Sequence, residues 1–146
     1  MFKHFLIPTD GSPVANKAAK GGIALAIKLG AKVTAYYAVE DLQPVYLEGY
    51  TFDEKMIDEI DKRAREAGQK CVDAIGKMAK AAGVRFASTV RKANTPYEGV
   101  IGAAKKHKCD VIFMASHGRR GLSRLIMGSV TQKVLAHSKI PVVVYR

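Results

Sequence analysis

Tryptophan is absent from this chain of 146 residues, and cysteine occurs only twice, as Cys71 and Cys109. Two distant thiols without C-x-x-C spacing support neither a disulfide framework nor a zinc ribbon. Both are expected to be buried thiols that pack as small hydrophobes. Histidine is sparse too: His4, His107, His117 and His137 are scattered and show no metal-ligand spacing. No apolar run approaches the roughly 18–20 residues that cross a bilayer. Residues 1–8 lack the apolar stretch and small-residue cleavage site of a secretory signal, which points to the cytoplasm and away from the membrane. The chain contains no G-x-x-x-x-G-K-[ST] phosphate loop, no G-x-G-x-x-G dinucleotide fingerprint, no internal repeat and no low-complexity tract.

What is present is an ordinary globular composition, 48% hydrophobic and 25% charged, in a length that suits a single domain over residues 1–146. Folding at this size removes about 68–70% of the unfolded chain's surface from water, enough for a core without staples. Charge is less ordinary. Lys and Arg number 24 against 13 Asp and Glu, a net charge of +11. Residues 101–146 hold nine basic residues and one acidic, Asp110, a local excess of +8. Such a field attracts phosphates, nucleic acid or acidic partners, and it is equally consistent with a solvated basic surface.

Periodicity divides the chain into alternating strands and helices. Residues 5–7 are a short apolar run that ends in Pro8-Thr9-Asp10-Gly11-Ser12-Pro13, a strand followed by a turn and a helix start. Ser12 suits the cap and Pro13 the first helical position. Val14, Ala18, Gly22, Leu25 and Leu29 form one helical face, and Gly30 stops it. Residues 33–39 are β-branched and aromatic, a second strand. Residues 40–51 show no period and read as a loop. A long helix then carries Ile57, Ile60, Ala64, Ala67, Cys71, Ile75, Met78 and Ala82 as its apolar ladder, with Gly83 at its end. Residues 84–90 alternate as a third strand at a sheet edge, and Thr95-Pro96 opens another helix. Residues 110–115 are almost continuously apolar, as in a strand covered on both faces. A helix over residues 129–137 and a strand over residues 141–146 complete the series. Five strands alternating with four helices predict right-handed crossovers and a mainly parallel sheet with helices on both faces. Ligands of such folds sit beyond the carboxyl ends of the strands.

Two loops there can carry chemistry. Asp10, after the first strand, can accept ribose hydroxyls, sit near a metal ion or simply cap a turn. After the fourth strand come Ala115-Ser116-His117-Gly118-Arg119-Arg120-Gly121 and then Gly128-Ser129-Val130-Thr131. Small residues there let backbone approach a phosphate, and free N–H groups at a helix start favour anions. Ser129 and Thr131 would add hydroxyl donors, and Arg119, Arg120 and Arg124 positive charge. His117, beside two arginines, reads more simply as a hydrogen-bonding residue than as a base.

These motifs, with their spacing and a terminal Pro-Val-Val-Val, resemble the universal stress protein family along the whole chain. The resemblance implies a five-stranded parallel α/β sheet in the order 3-2-1-4-5, homodimers through the last strand, and ATP held with Mg²⁺. It implies that Pro8, Thr9, Asp10 and Val39 line the adenosine side. Met114, Ala115, His117, Gly118 and Arg119 would form the loop under ribose and phosphates, and Gly128, Ser129, Val130 and Thr131 would hold the phosphate chain. One position departs from the family motif G-x2-G-x9-G-[ST]: Ala115 stands at its first glycine. The function expected is a cytosolic, regulatory, ATP-binding stress protein. A slow ATPase or phosphotransferase is one alternative, and a basic nucleic-acid-associated protein is another, without a recognisable motif for it.

Overall fold

The apolar run near the N-terminus forms the middle strand of the sheet, β1 (His4–Pro8). The computed structural model describes residues 1–41, 53–119 and 127–146, so the loop expected over residues 40–51 lies almost wholly outside them. The other elements, in chain order, are α1 (Pro13–Leu29), β2 (Lys32–Glu40), α2 (Glu54–Ala81), β3 (Phe86–Ala93), α3 (Pro96–Lys106), β4 (Val111–Ala115), α4 (Ser129–His137) and β5 (Val142–Tyr145). All strand neighbours are parallel, in the order β3-β2-β1-β4-β5. The expected order and alternation are therefore observed. β1 and β4 lie side by side, so the loops that follow them leave the same edge at the point where strand order reverses.

Helix starts follow the local signals. Ser12 Oγ accepts the Ala15 N–H at 3.2 Å to cap α1, and Gly30 closes that helix at φ 61°. Asp53 caps α2 by accepting the Lys55 N–H. Two cores result, one on each face of the sheet. Phe5, Ile7, Val33, Val111 and Phe113 pack with α1 and α2, whereas Leu6, Tyr36, Ile112 and Met114 pack with α3 and α4. Among the described residues, no helix is long and apolar enough to cross a membrane.

Three expectations are corrected. The buried stripe of α1 is Ala15, Ala18, Ala19, Gly22, Ile23 and Ala26, while Val14, Leu25 and Leu29 only flank it. That of α2 is Gly68, Val72, Ile75 and Ala79; Ile60 is 40% exposed and Cys71 only half-buried. Both helices set small residues onto the sheet beside a few larger ones, Ile23 in α1 and Val72 and Ile75 in α2. A Cβ on Gly22 would stand 2.8 Å from Ile7 Cδ1 and 3.0 Å from the Phe113 ring. Thirdly, β3 starts at Phe86 rather than at residue 84, because the Val84 N–H still bonds to Ala79 O at the end of α2.

Gly22→Val should therefore lower stability by about 1–3 kcal/mol, the usual cost of overpacking a core. Urea unfolding would show a lower midpoint at unchanged slope. An unchanged midpoint would mean that α1 can lift off the sheet freely.

Candidate functional site

Residues 9–12 follow β1, and residues 116–119 follow β4 at the same edge. Within the first loop, the Thr9 N–H bonds to Tyr36 O at 2.9 Å and Thr9 Oγ1 accepts the Gly11 N–H at 3.0 Å. Asp10 joins the two loops. Its Oδ1 accepts the Ser12 N–H at 2.9 Å and its Oδ2 the Arg119 N–H at 2.8 Å, across 109 residues of chain. Burial pushes this carboxyl up, but hydrogen bonds from Ser12 and Arg119, with the Arg119 guanidinium, outweigh it and hold it below the usual range. The turn-capping role of Asp10 is thus observed, and it extends to the second loop. Gly118 has to lack a side chain here, since a Cβ would come within 2.6 Å of Asp10 Oδ2.

The start of α4 is tied back to β4. The Gly128 N–H bonds to Ser116 O at 2.8 Å, and the buried Thr131 hydroxyl donates to Ala115 O at 3.0 Å. The first helical bond is that of Gln132 N–H to Gly128 O, which leaves the N–H groups of Ser129, Val130 and Thr131 without intrahelical partners. Gly128 caps the helix without a side-chain bond, so nothing from its own side chain covers those donors. Ser129 is exposed.

Each expected residue can now be placed. Pro8 ends β1 and Val39 is fully buried near the end of β2, joined to the other site residues by no hydrogen bond. Met114 and Val130 turn into the α3–α4 core, so only their backbones face outward. Ala115 is an ordinary strand residue whose methyl belongs to the opposite core, under α1. His117 is half-buried, with Nδ1 3.0 Å from Ser116 Oγ. The Thr131 hydroxyl, expected to face a ligand, is spent on Ala115. Arg120 and Arg124 lie outside the described residues.

Two residues escaped sequence reading. Ser116 supplies both the carbonyl under Gly128 and the hydroxyl beside His117. Cys71, assigned to the core, borders the site instead: a Cβ on Gly11, which has φ +78°, would lie 2.5 Å from its Sγ and 3.1 Å from Arg119 Nη2. Burial pushes the Cys71 thiol up. Cys109 is buried as expected, its thiol pushed up to about 12 by burial.

Comparison with known proteins fits this architecture. The family model described as universal stress protein family matches residues 1–146. This chain belongs to the universal stress protein family. A universal stress protein of Methanocaldococcus jannaschii, MJ0531, is 34% identical over 146 residues, covering 100% of this chain and 83% of that protein. One from Thermus aquaticus is 32% identical over 100% of both chains. Among solved structures, that of the protein MJ0577 superposes with TM-score 0.78 at 27% identity, over 99% of this chain and 95% of the other. A universal stress protein in complex with cAMP gives 0.72 at 19% identity, over 99% and 97% of the two chains. One from Archaeoglobus fulgidus in complex with dAMP gives 0.65 at 14%, over 100% and 98%. At those identities the last two speak for the family's adenine nucleotide α-hydrolase-like fold alone.

The Asp10 bridge carries a pH signature. A carboxyl whose folded pKa lies below its unfolded value of about 3.9 stabilises the fold fully above that value. The contribution is lost as pH falls through the lower, folded pKa. Asp10→Asn should accordingly be less stable than the parent near neutral pH, and urea unfolding should show the gap closing as pH falls below about 4. A gap that stays constant with pH would refute the bridge.

Proposed function

We propose that this protein is a cytoplasmic stress-response regulator that binds ATP with Mg²⁺ and acts as a homodimer, by binding rather than by turnover. The observation that carries this reading is the start of α4: three N–H groups free of intrahelical bonds, opening beside the Asp10–Arg119 bridge. The dipole of the helix adds positive potential where those donors point. The relatives solved with cAMP and dAMP support an adenine nucleotide as the ligand.

In this reading Pro8, Thr9, Asp10 and Val39 border the adenosine. Both Asp10 oxygens keep a lone pair for ribose hydroxyls. Backbone at Met114 and Ala115, with His117 and Gly118, lies beneath ribose and phosphates. The N–H groups of Ser129, Val130 and Thr131 take phosphate oxygens, the Ser129 hydroxyl adds a donor, and Arg119 adds charge. Mg²⁺ would arrive on the phosphates, as it does where a protein offers few carboxylates. Among the described residues, no cluster of three His, Cys, Asp or Glu side chains is built to hold an ion by itself.

A slow ATPase needs a base near the γ-phosphate. Asp10 already accepts two backbone N–H groups, which favours binding over hydrolysis. The homodimer part of the proposal rests on β5. Its Val142, Val143, Val144 and Tyr145 are all half-buried on an outer strand of the sheet. An uncharged apolar edge of this kind pairs readily with another strand.

Calorimetry with Mg-ATP should give a saturable heat that Gly128→Val abolishes, because the new Cβ would stand 3.1 Å from the His117 backbone. Ala115→Gly should leave affinity within about twofold, well under 1 kcal/mol, since the Ala115 methyl faces the core. Absence of heat from the parent protein, unrestored by Ala115→Gly, would remove nucleotide binding from the reading. Light scattering at tens of micromolar should report two chains, shifting towards one in Val143→Lys. A parent monomer would remove the dimer.

A further inference from the structure

A groove of about 250 Å³ opens on the α3 face of the sheet, lined by no residue of α4. Tyr36 of β2 and Arg91 of β3 form one side; Gly99, Gly102, Ala103 and Lys106 of α3 form the other. Lys92 also borders it, but Lys92 is held in ion pairs with Asp61 at 3.0 Å and Asp41 at 3.8 Å. Arg91 and Lys106 have no carboxylate partner among the described residues. Both charges bear on one neighbour, His107, whose imidazole is held below its ordinary range by burial, then Arg91, then Lys106.

Tyr36 is what turns a basic cleft into a candidate site. Its residue is only 2% exposed, yet its hydroxyl bonds to no described residue. That hydroxyl lies against Gly99, where any Cβ would collide with it, and so it points into the groove. The hydroxyl oxygen itself is open to solvent at the groove, with no acceptor among the described residues competing for its proton, so it is free to donate to a ligand there. Burial pushes the phenol up, against the pull of Arg91, so it stays protonated and donates. Space above Gly102 is open, with nothing within 4 Å of where its Cβ would stand.

We propose that this groove binds a phosphate group, either the free ion or a monoester of a small metabolite, between Arg91 and Lys106 with the Tyr36 hydroxyl donating to it. Two unpaired cations match a dianion, and the guanidinium fork suits two oxygens of one phosphate. The groove is smaller than the usual pocket for a drug-sized molecule, which limits the ester to a small one. The site does not depend on the nucleotide reading: its donors lie on α3, β2 and β3, and none belongs to α4.

Titration with inorganic phosphate, followed by amide chemical shifts of the full-length protein, tests it. Saturable shifts are expected at Gly99, Gly102 and Arg91. Loss of a single hydrogen bond to a charged group is worth about tenfold or more, so Tyr36→Phe and Arg91→Gln should each weaken the response by at least that factor. The Tyr36→Phe ring keeps its place in the core, and Arg91 is exposed, so the second variant decides if the first folds poorly. Lys105→Gln, an exposed neighbour outside the groove, should change nothing. Tighter binding of glycerol phosphate than of inorganic phosphate assigns the monoester; equal or weaker binding assigns the free ion. Shifts confined to residues 129–131 would report α4 and overturn the groove. Absent shifts, or saturable ones indifferent to both variants, would overturn it as well.

Discussion

Helix glycines set against strand aromatics fix how near the helices lie to this sheet. A Cβ on Gly22 would strike Phe113, one on Gly21 would strike Tyr145, one on Gly68 would strike Tyr37, and one on Gly76 would strike Phe86. Gly99 stands in the same relation to Tyr36. In each pair the missing side chain leaves room for a ring, and the ring supplies the buried area that two medium side chains would have shared. Close packing then permits few alternative registers, because moving a helix by one residue would bring a Cβ where the ring is. The same contact leaves the Tyr36 hydroxyl at the rim of the α3 face while its carbonyl holds the Thr9 N–H at the carboxyl edge.

The edge itself is made rigid by backbone, with few side chains involved. Asp10 receives N–H groups from both loops, Ser116 receives that of Gly128, and Ala115 receives the Thr131 hydroxyl. These bonds settle where β4 ends and where α4 begins without reference to residues 120–126. They also explain why an alanine is accommodated at position 115, where the family motif has glycine. Ala115 pairs with Tyr145 within the sheet, and its methyl fills space under α1. Its carbonyl, the part turned towards α4, is the same for either residue.

Much of this was legible in the amino-acid pattern, because strands and helices differ in period and each cap has its own chemistry. α4 is found at the expected residues 129–137, and Ser12 and Gly30 act at α1 as expected. The order of the strands came from family resemblance; periodicity does not encode it. The α1 stripe was found in part: Ala18 and Gly22 of the expected ladder are buried, whereas its large members Val14, Leu25 and Leu29 only flank the stripe that Ala15, Ala19, Ile23 and Ala26 complete. Cys71 fell on such a ladder and is in fact beside Gly11 and Arg119, a neighbourhood made by tertiary packing alone. Tyr36 read only as a strand aromatic, since nothing local to residue 36 announces that its hydroxyl lacks a partner.

The basic excess after residue 100 divides in the same residue-by-residue way. Lys133 lies over the Tyr97 ring at 5.7 Å, next to a Tyr97–His137 contact with centroids 5.0 Å apart. Arg119 contributes its N–H to Asp10, and Lys106 borders the α3 groove. A net charge of +11 raises the local concentration of any anion, but it acts over a screening length of only about 8 Å at physiological salt. Selection among anions therefore has to come from short-range donors. Two sets of such donors are present among the described residues: N–H groups at the start of α4, and a guanidinium, an ammonium and a phenol beside α3. The first is backbone and indifferent to most substitutions. The second is side chain throughout, so single substitutions of exposed residues can tune it without disturbing the fold.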